Sequence, residues 1–160
     1  MPIVKPFAIP DEDNYYSRWD HTHAGGGGCP GYTLPILALT SNPVDGQTVY
    51  FGGIPRAPIT TANYAKVRVP YAGTITRAYV YCYAGTAGTA ENWSLYLRLN
   101  NTTDTLIKTL GVGALERIFD NNALSIPVIA GDYFEIKGVH PTWATNPAAT
   151  FYGGYLWIET

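Results

Sequence analysis

The sequence predicts an all-β protein whose strands have the number and spacing of a two-sheet sandwich or jelly roll. Three observations carry that expectation. Trp93, Leu95, Leu97 and Leu99 alternate with Ser94, Tyr96, Arg98 and Asn100, the period of two of a strand with one buried face. Similar short runs, separated by turn residues, continue from about residue 66 to residue 160 without a break that would admit a helix. Ahead of them Pro2, Pro6, Pro10, Pro30, Pro35 and Pro43, with the run Gly25-Gly26-Gly27-Gly28, disfavour helix and exclude the interior of a sheet.

The proline- and glycine-rich composition divides the chain into an arm, residues 1–47, and a sandwich domain, residues 48–160. The arm cannot bury enough of its own surface to offset its ordering entropy, so it is expected to lie against its own sandwich or against neighbouring subunits. Tyr15, Tyr16 and Trp19, and Leu34, Ile36 and Leu37 in the run Leu34-Pro35-Ile36-Leu37-Ala38-Leu39, are the residues expected to dock on a partner.

The strands follow in order. Asp45-Gly46 is a hairpin-type turn signal that leads into a strand at 48–51. A strand at 65–69 is stopped by Pro70, and Ala72-Gly73 turns the chain into a long run at 74–83. There Ala78, Val80 and Cys82 alternate with Tyr79, Tyr81 and Tyr83, so the small residues can face a core and the tyrosines a second surface. After the Gly85 to Thr89 loop comes the strand around Trp93, which Asn100-Asn101 ends in a turn. Strands at 105–110, 115–119, 124–128, 133–139 and 150–160 complete the series, and a short helix around residues 113–117 would not change the class.

Composition narrows the function classes. Charged residues make up 14% of the chain and the net charge is -2, which supplies no electrostatic footprint for a polyanion, so direct nucleic-acid binding is not expected. The first ten residues lack the continuous apolar core of a secretory leader, and no stretch approaches membrane-spanning length. Synthesis in a cytoplasm is the expectation. Cys29 and Cys82 are the two cysteines, too few for a disulfide framework.

The residues with chemistry to offer are few. No Gly-x-Ser-x-Gly run, phosphate-cradling loop or carboxylate motif is present, and an enzyme is not expected. His21 and His23 share one side of an extended chain. One chain offers two nitrogens, while three chains about a threefold axis would gather six, an octahedral shell for a transition metal; otherwise the pair is simply solvated, and no other cofactor is expected. His140, Trp143 and Asn146 lie in a polar loop where an aromatic ring beside polar groups would suit a sugar. The same residue types, and the tyrosine row, equally suit an inter-subunit contact.

Two stretches carry a family resemblance. The segment from Tyr15 through Trp19-Asp20-His21-Thr22-His23 to Gly28 resembles the histidine- and glycine-rich lead-in segments of bacteriophage fibre and head-surface proteins. Val69-Pro70-Tyr71-Ala72-Gly73, Leu97-Arg98-Leu99-Asn100-Asn101 and Ala130-Gly131-Asp132-Tyr133 resemble the C-terminal jelly-roll domains of phage virion proteins. The ending Thr150-Phe151-Tyr152-Gly153-Gly154-Tyr155-Leu156 is similar to trimeric C1q and tumour-necrosis-factor jelly rolls. The resemblance implies an antiparallel β-sandwich of jelly-roll type, assembled as a homotrimer on a virion and anchored by its arm to the major capsid protein or another virion protein. The chain carries no shaft, heptads or collagen-like repeat before the domain, which favours a capsid decoration, cement or head-fibre subunit. The alternative is a tail-fibre tip that recognises host surface glycan.

Overall fold

The computed structural model describes residues 30–160, which form an all-β, β-sandwich-like unit of two antiparallel five-stranded sheets. In chain order the strands are β1 (Tyr32–Ser41), β2 (Thr48–Phe51), β3 (Val67–Arg68), β4 (Gly73–Thr86), β5 (Asn92–Leu99), β6 (Thr103–Gly111), β7 (Glu116–Asn121), β8 (Ile126–Val128), β9 (Tyr133–Val139) and β10 (Ala148–Glu159). The first sheet runs β1-β10-β4-β7 with β8 paired to β4, and the second runs β2-β9-β5-β6 with β3 paired to β9. The helix allowed at 113–117 does not form; that segment bends and then enters β7.

The core lies where the two sheets' inward residues meet. Trp93, Leu95 and Leu97 of β5 and Phe134 and Ile136 of β9 are fully buried against Ala78, Val80 and Cys82 of β4, Phe119 of β7 and Leu156 and Ile158 of β10. The period-two pattern is therefore real, but it changes phase at bulges. Trp157 pairs with Arg77 and Ile158 with Ile75, so Thr76 is the extra residue that lets both Ile75 and Ala78 point inward. Likewise Leu95 pairs with Lys108 and Tyr96 with Leu106, and the unpaired Ile107 is buried.

Turn chemistry follows the residues that demanded it. Asn100 and Asn101 have φ of 49° and 58°, the two left-handed positions of a type I′ hairpin that joins β5 to β6. Gly46 has φ of 65° in a turn closed by Gln47 N–H on the Val44 carbonyl. That turn is not a hairpin, because it carries the chain from the first sheet to the second.

The boundary expected at residue 47 needs correction. Tyr32–Ser41 is a full strand of the first sheet, pairing with β10 from Tyr32 against Ile158 to Ser41 against Thr150. Ile36 is completely buried and Leu34 packs against the core, so the apolar run read as a partner-docking segment belongs largely to the sandwich itself. Proline did not exclude it, since β1 is an edge of its sheet and Pro35 tolerates such a position. Tyr15, Tyr16, Trp19, His21 and His23, with their docking and metal roles, lie outside the described residues.

Candidate functional site

The two rings of the loop read as a candidate glycan site face the interior, while Thr142, Ala144 and Thr145 between and beyond them are exposed. His140 and Trp143 are each 4% exposed, and both rings pack edge-on around Trp93, at centroid distances of 5.4 and 5.8 Å. Phe119 and Tyr152 close on the same indole at 6.1 and 5.8 Å. The loop is clamped to the turn at 42–46 by polar contacts, among them Gly46 N–H on the Pro141 carbonyl and three that involve side chains. His140 Nδ1 lies 3.2 Å from the Val44 carbonyl, the Trp143 N–H donates to Asp45 Oδ1, and Asn146 Nδ2 donates to the Pro43 carbonyl. A ring buried to this degree cannot stack on a pyranose, so the glycan role assigned to His140 and Trp143 is corrected to a structural one; Asn146 is half-buried and bonds to the Pro43 carbonyl. Burial also drives the His140 pKa down to about 4, because a charged imidazole would have to be held away from water.

The tyrosine row, in contrast, is at the surface and larger than the sequence suggested. Tyr79, Tyr81 and Tyr83 lie on the outer side of β4, opposite Tyr155, Gly153 and Phe151 of β10. Tyr79 stacks on Tyr155 with centroids 5.4 Å apart and planes 15° apart, and Tyr83 meets Phe151 at 6.4 Å. On one flank Gly153 pairs with Leu37 of β1, and on the other Tyr81 pairs with Ile118 of β7. Leu37, Ile118 and Phe151 are 47%, 47% and 46% exposed. Charge borders the row closely: the Arg77 guanidinium lies 5.7 and 5.9 Å from the Tyr79 and Tyr155 ring centroids, and Glu116 interacts with Tyr81. Arg77 makes a two-pronged contact with Asp120, 2.9 Å from Nε and 2.7 Å from Nη2, and Glu116 stands beside Tyr83.

The outer side of the second sheet also carries tyrosines, but Tyr50, Tyr96 and Tyr133 each face a cation, Arg98, Lys137 and Lys66 in turn. Arg98 reaches Asp104 at 3.3 Å and Lys137 reaches the same carboxylate at 2.5 Å. Glu135 lies beneath them, completely buried, with Arg98 Nε at 3.6 Å, beyond hydrogen-bonding range, and neither carboxylate oxygen hydrogen-bonded among the described residues. Burial pushes its pKa up to about 7, against the pull of Arg98 and Lys66.

Other reactive groups are enclosed. The Cys82 thiol is buried and its pKa is pushed up to about 12 by desolvation, which removes it as a nucleophile at neutral pH. Arg117 is buried beside Trp93, with its guanidinium donating to the Gly111 and Val112 carbonyls. Among the described residues no group of three or more metal-binding side chains forms, and no helix is long and apolar enough to cross a membrane.

The geometry therefore brings one set of residues together that the sequence had left apart: the tyrosines of β4 and the Phe151-Gly153-Tyr155-Trp157 alternation of β10. That alternation was visible, but which strand lies beside β4 was not. No protein-family model matches the chain, and no curated protein matches it either.

Proposed function

We propose that this chain is a bacteriophage virion-surface subunit, a capsid decoration, cement or head-fibre protein. In this reading its sandwich is a jelly roll that assembles as a homotrimer, and residues 1–30 tether it to the major capsid protein or another virion protein. The observation that carries the proposal is the sandwich's first outer face, an aromatic surface suited to protein contact, bordered by Arg77, Asp120 and Glu116. Tyrosine- and phenylalanine-rich surfaces with charge kept to the rim are the composition of interface cores.

The strand order supports the jelly-roll part. Orders β1-β10-β4-β7 and β2-β9-β5-β6, with β1, β2, β4 and β5 crossing between sheets in turn, are what two Greek keys wrapped into facing sheets produce. Fold alone does not name a function; the resemblance to phage virion domains supplies that step. The tail-tip alternative is weaker, because the two rings it relied on, His140 and Trp143, are buried.

The test is location and tethering. Full-length protein should co-sediment with purified particles at a fixed stoichiometry, whereas a variant starting at residue 30 should fold and remain in the supernatant. The cut must not extend to residue 40, since that would remove β1 and the buried Ile36. Absence of the protein from purified particles, or equal binding by the shortened chain, would refute the proposal.

A further inference from the structure

We propose that the outer face of the first sheet is the surface through which copies of this chain associate, three faces closing around an axis parallel to β4 and β10. The inference deepens the proposed function by naming the trimer's contact surface, and it rests on that reading only for the number of copies.

Size is the first argument. Four strands about 4.8 Å apart span about 19 Å, and the stretch from Phe151 to Trp157 adds about 20 Å along the strand. With its corrugation this face offers on the order of 600 Å², near the roughly 800 Å² per partner of a standard interface and at the upper limit of apolar patches on monomers. Three such faces set as the sides of a triangular prism leave about 5.5 Å from each sheet to the axis, which matches the reach of a tyrosine side chain. The space at the centre is thus filled by Tyr81 and its neighbours, neither empty nor overfilled.

Edge matching is the second. Rotation about an axis parallel to the strands preserves height, so each cross-strand row of one copy continues into the same row of the next. The central row is Leu37, Gly153, Tyr81 and Ile118. Its two ends, Leu37 and Ile118, are both half exposed and apolar; the 52–56 segment flanks β1 at Leu37 and Leu39, so closure brings these two side chains, and not bare strand edges, against one another. One row further along, Pro35 of β1 pairs with Tyr155, and Tyr155 with Tyr79, whose β7 partner is Asp120. Asp120 is already neutralised by Arg77, so closure leaves no unpaired charge in that row.

Gly153 is the third. Glycine weakens the interior of a strand and commonly marks a place where another chain approaches closely. The adjacent Gly154 is required by the fold itself, because a Cβ there would strike the Tyr79 carbonyl, but a Cβ on Gly153 would meet nothing within 4 Å. The missing side chain at the centre of the face therefore serves nothing within this chain's own described fold, and it gives the neighbouring copies' tyrosines room to approach.

The decisive experiment measures solution mass by sedimentation equilibrium for the full chain and three variants. Wild type should be trimeric at micromolar concentration, and Gly153→Arg and Tyr81→Glu should weaken association by about 100-fold or more while keeping the β-sheet circular dichroism. Leu106→Arg, at an equally exposed apolar residue of β6 on the second sheet, should leave the mass unchanged. In a Cys29→Ser background, Leu37→Cys with Ile118→Cys should give covalent trimers on oxidation. Those two positions are three strands apart within one chain, beyond the roughly 7 Å limit for a disulfide, so a bond reports a neighbour. A wild type monomeric at about 100 μM, Gly153→Arg and Tyr81→Glu proteins that associate normally, or a monomer whose face instead takes up polysaccharide would each overturn the inference. A trimer that never binds particles would sink the proposed function and leave this interface standing; a particle-bound protein whose mass ignores both face substitutions would do the reverse.

Discussion

Two buried ionisable groups, Glu135 and His140, give this protein a pH dependence whose parts should cancel until one is removed. The Glu135 carboxyl moves from an ordinary 4.5 to about 7 on folding, mainly by desolvation, with Arg98 and Lys66 opposing the rise and Asp104 adding to it. Between those values the folded protein holds a proton that the unfolded chain has released, so stability falls as pH rises. At about 1.4 kcal/mol per pKa unit the loss is about 3 kcal/mol. His140 moves from 6.5 to about 4, again mainly by desolvation, while its bond to Val44 and the charge of Asp45 oppose the fall. Here the unfolded chain binds the extra proton, so stability rises by about 3 kcal/mol as pH rises from about 4 to 6.5. The opposed slopes overlap between pH 4.5 and 6.5, where wild-type stability should be nearly flat. Glu135→Gln should unmask the rise, and His140→Phe the fall. Urea denaturation at half-unit pH intervals, followed by tryptophan fluorescence, reads both. Parallel profiles for the wild type and both variants would show that neither group is held as buried as the structure places it, and the reasoning would fail.

Three further outcomes test the fold. Trp93→Ala removes a fully buried indole touched by Phe119, His140, Trp143 and Tyr152, and should cost roughly 3–5 kcal/mol in chemical denaturation. Gly154→Ala should destabilise by roughly 1–3 kcal/mol, since β10 and β4 must part to admit a Cβ against the Tyr79 carbonyl; thermal melting beside Gly153→Ala, expected within about 0.5 kcal/mol of wild type, checks it. Asn101→Val forces a β-branched residue into φ of 58° and should cost roughly 1–2 kcal/mol, whereas Asn101→Gly should be tolerated.

Much of the architecture was legible because alternation is a direct consequence of strand geometry. The runs around Trp93 and from Ala78 to Tyr83 declared which side chains face inward, and Asn100-Asn101 declared its turn. What alternation does not encode is which strand lies beside which, and the assignments that depended on neighbours went astray. Leu34 to Leu39 looked like an unattached apolar arm because its partner, β10, lies more than a hundred residues later. Trp143 and His140 looked like an exposed aromatic loop for the same reason: the indole they cover, Trp93, is fifty residues away in sequence. Glu135 alternates correctly with Phe134 and Ile136 toward the outer side of its sheet, yet it is buried, and nothing in a two-residue period reports what lies over a strand.

The low charge content acquires a physical meaning from the two outer faces. In a sandwich exposed on both sides, alternation should place polar residues outward on each sheet alike. Here the second sheet links Arg98, Asp104 and Lys137 across its outer side and sets its outward tyrosines Tyr50, Tyr96 and Tyr133 against cations, while the central strands of the first turn outward tyrosines, a phenylalanine and a glycine with Arg77 at one end. A core of this size does not need those aromatics, since Trp93, Phe119 and Phe134 already fill it with aliphatic neighbours. Their placement adds apolar surface where a monomer gains nothing from it, at some cost in solubility. On the proposed assembly the charged sheet would face solvent and the aromatic sheet other copies of the chain, and the 14% charge content would be the compositional trace of that covered face.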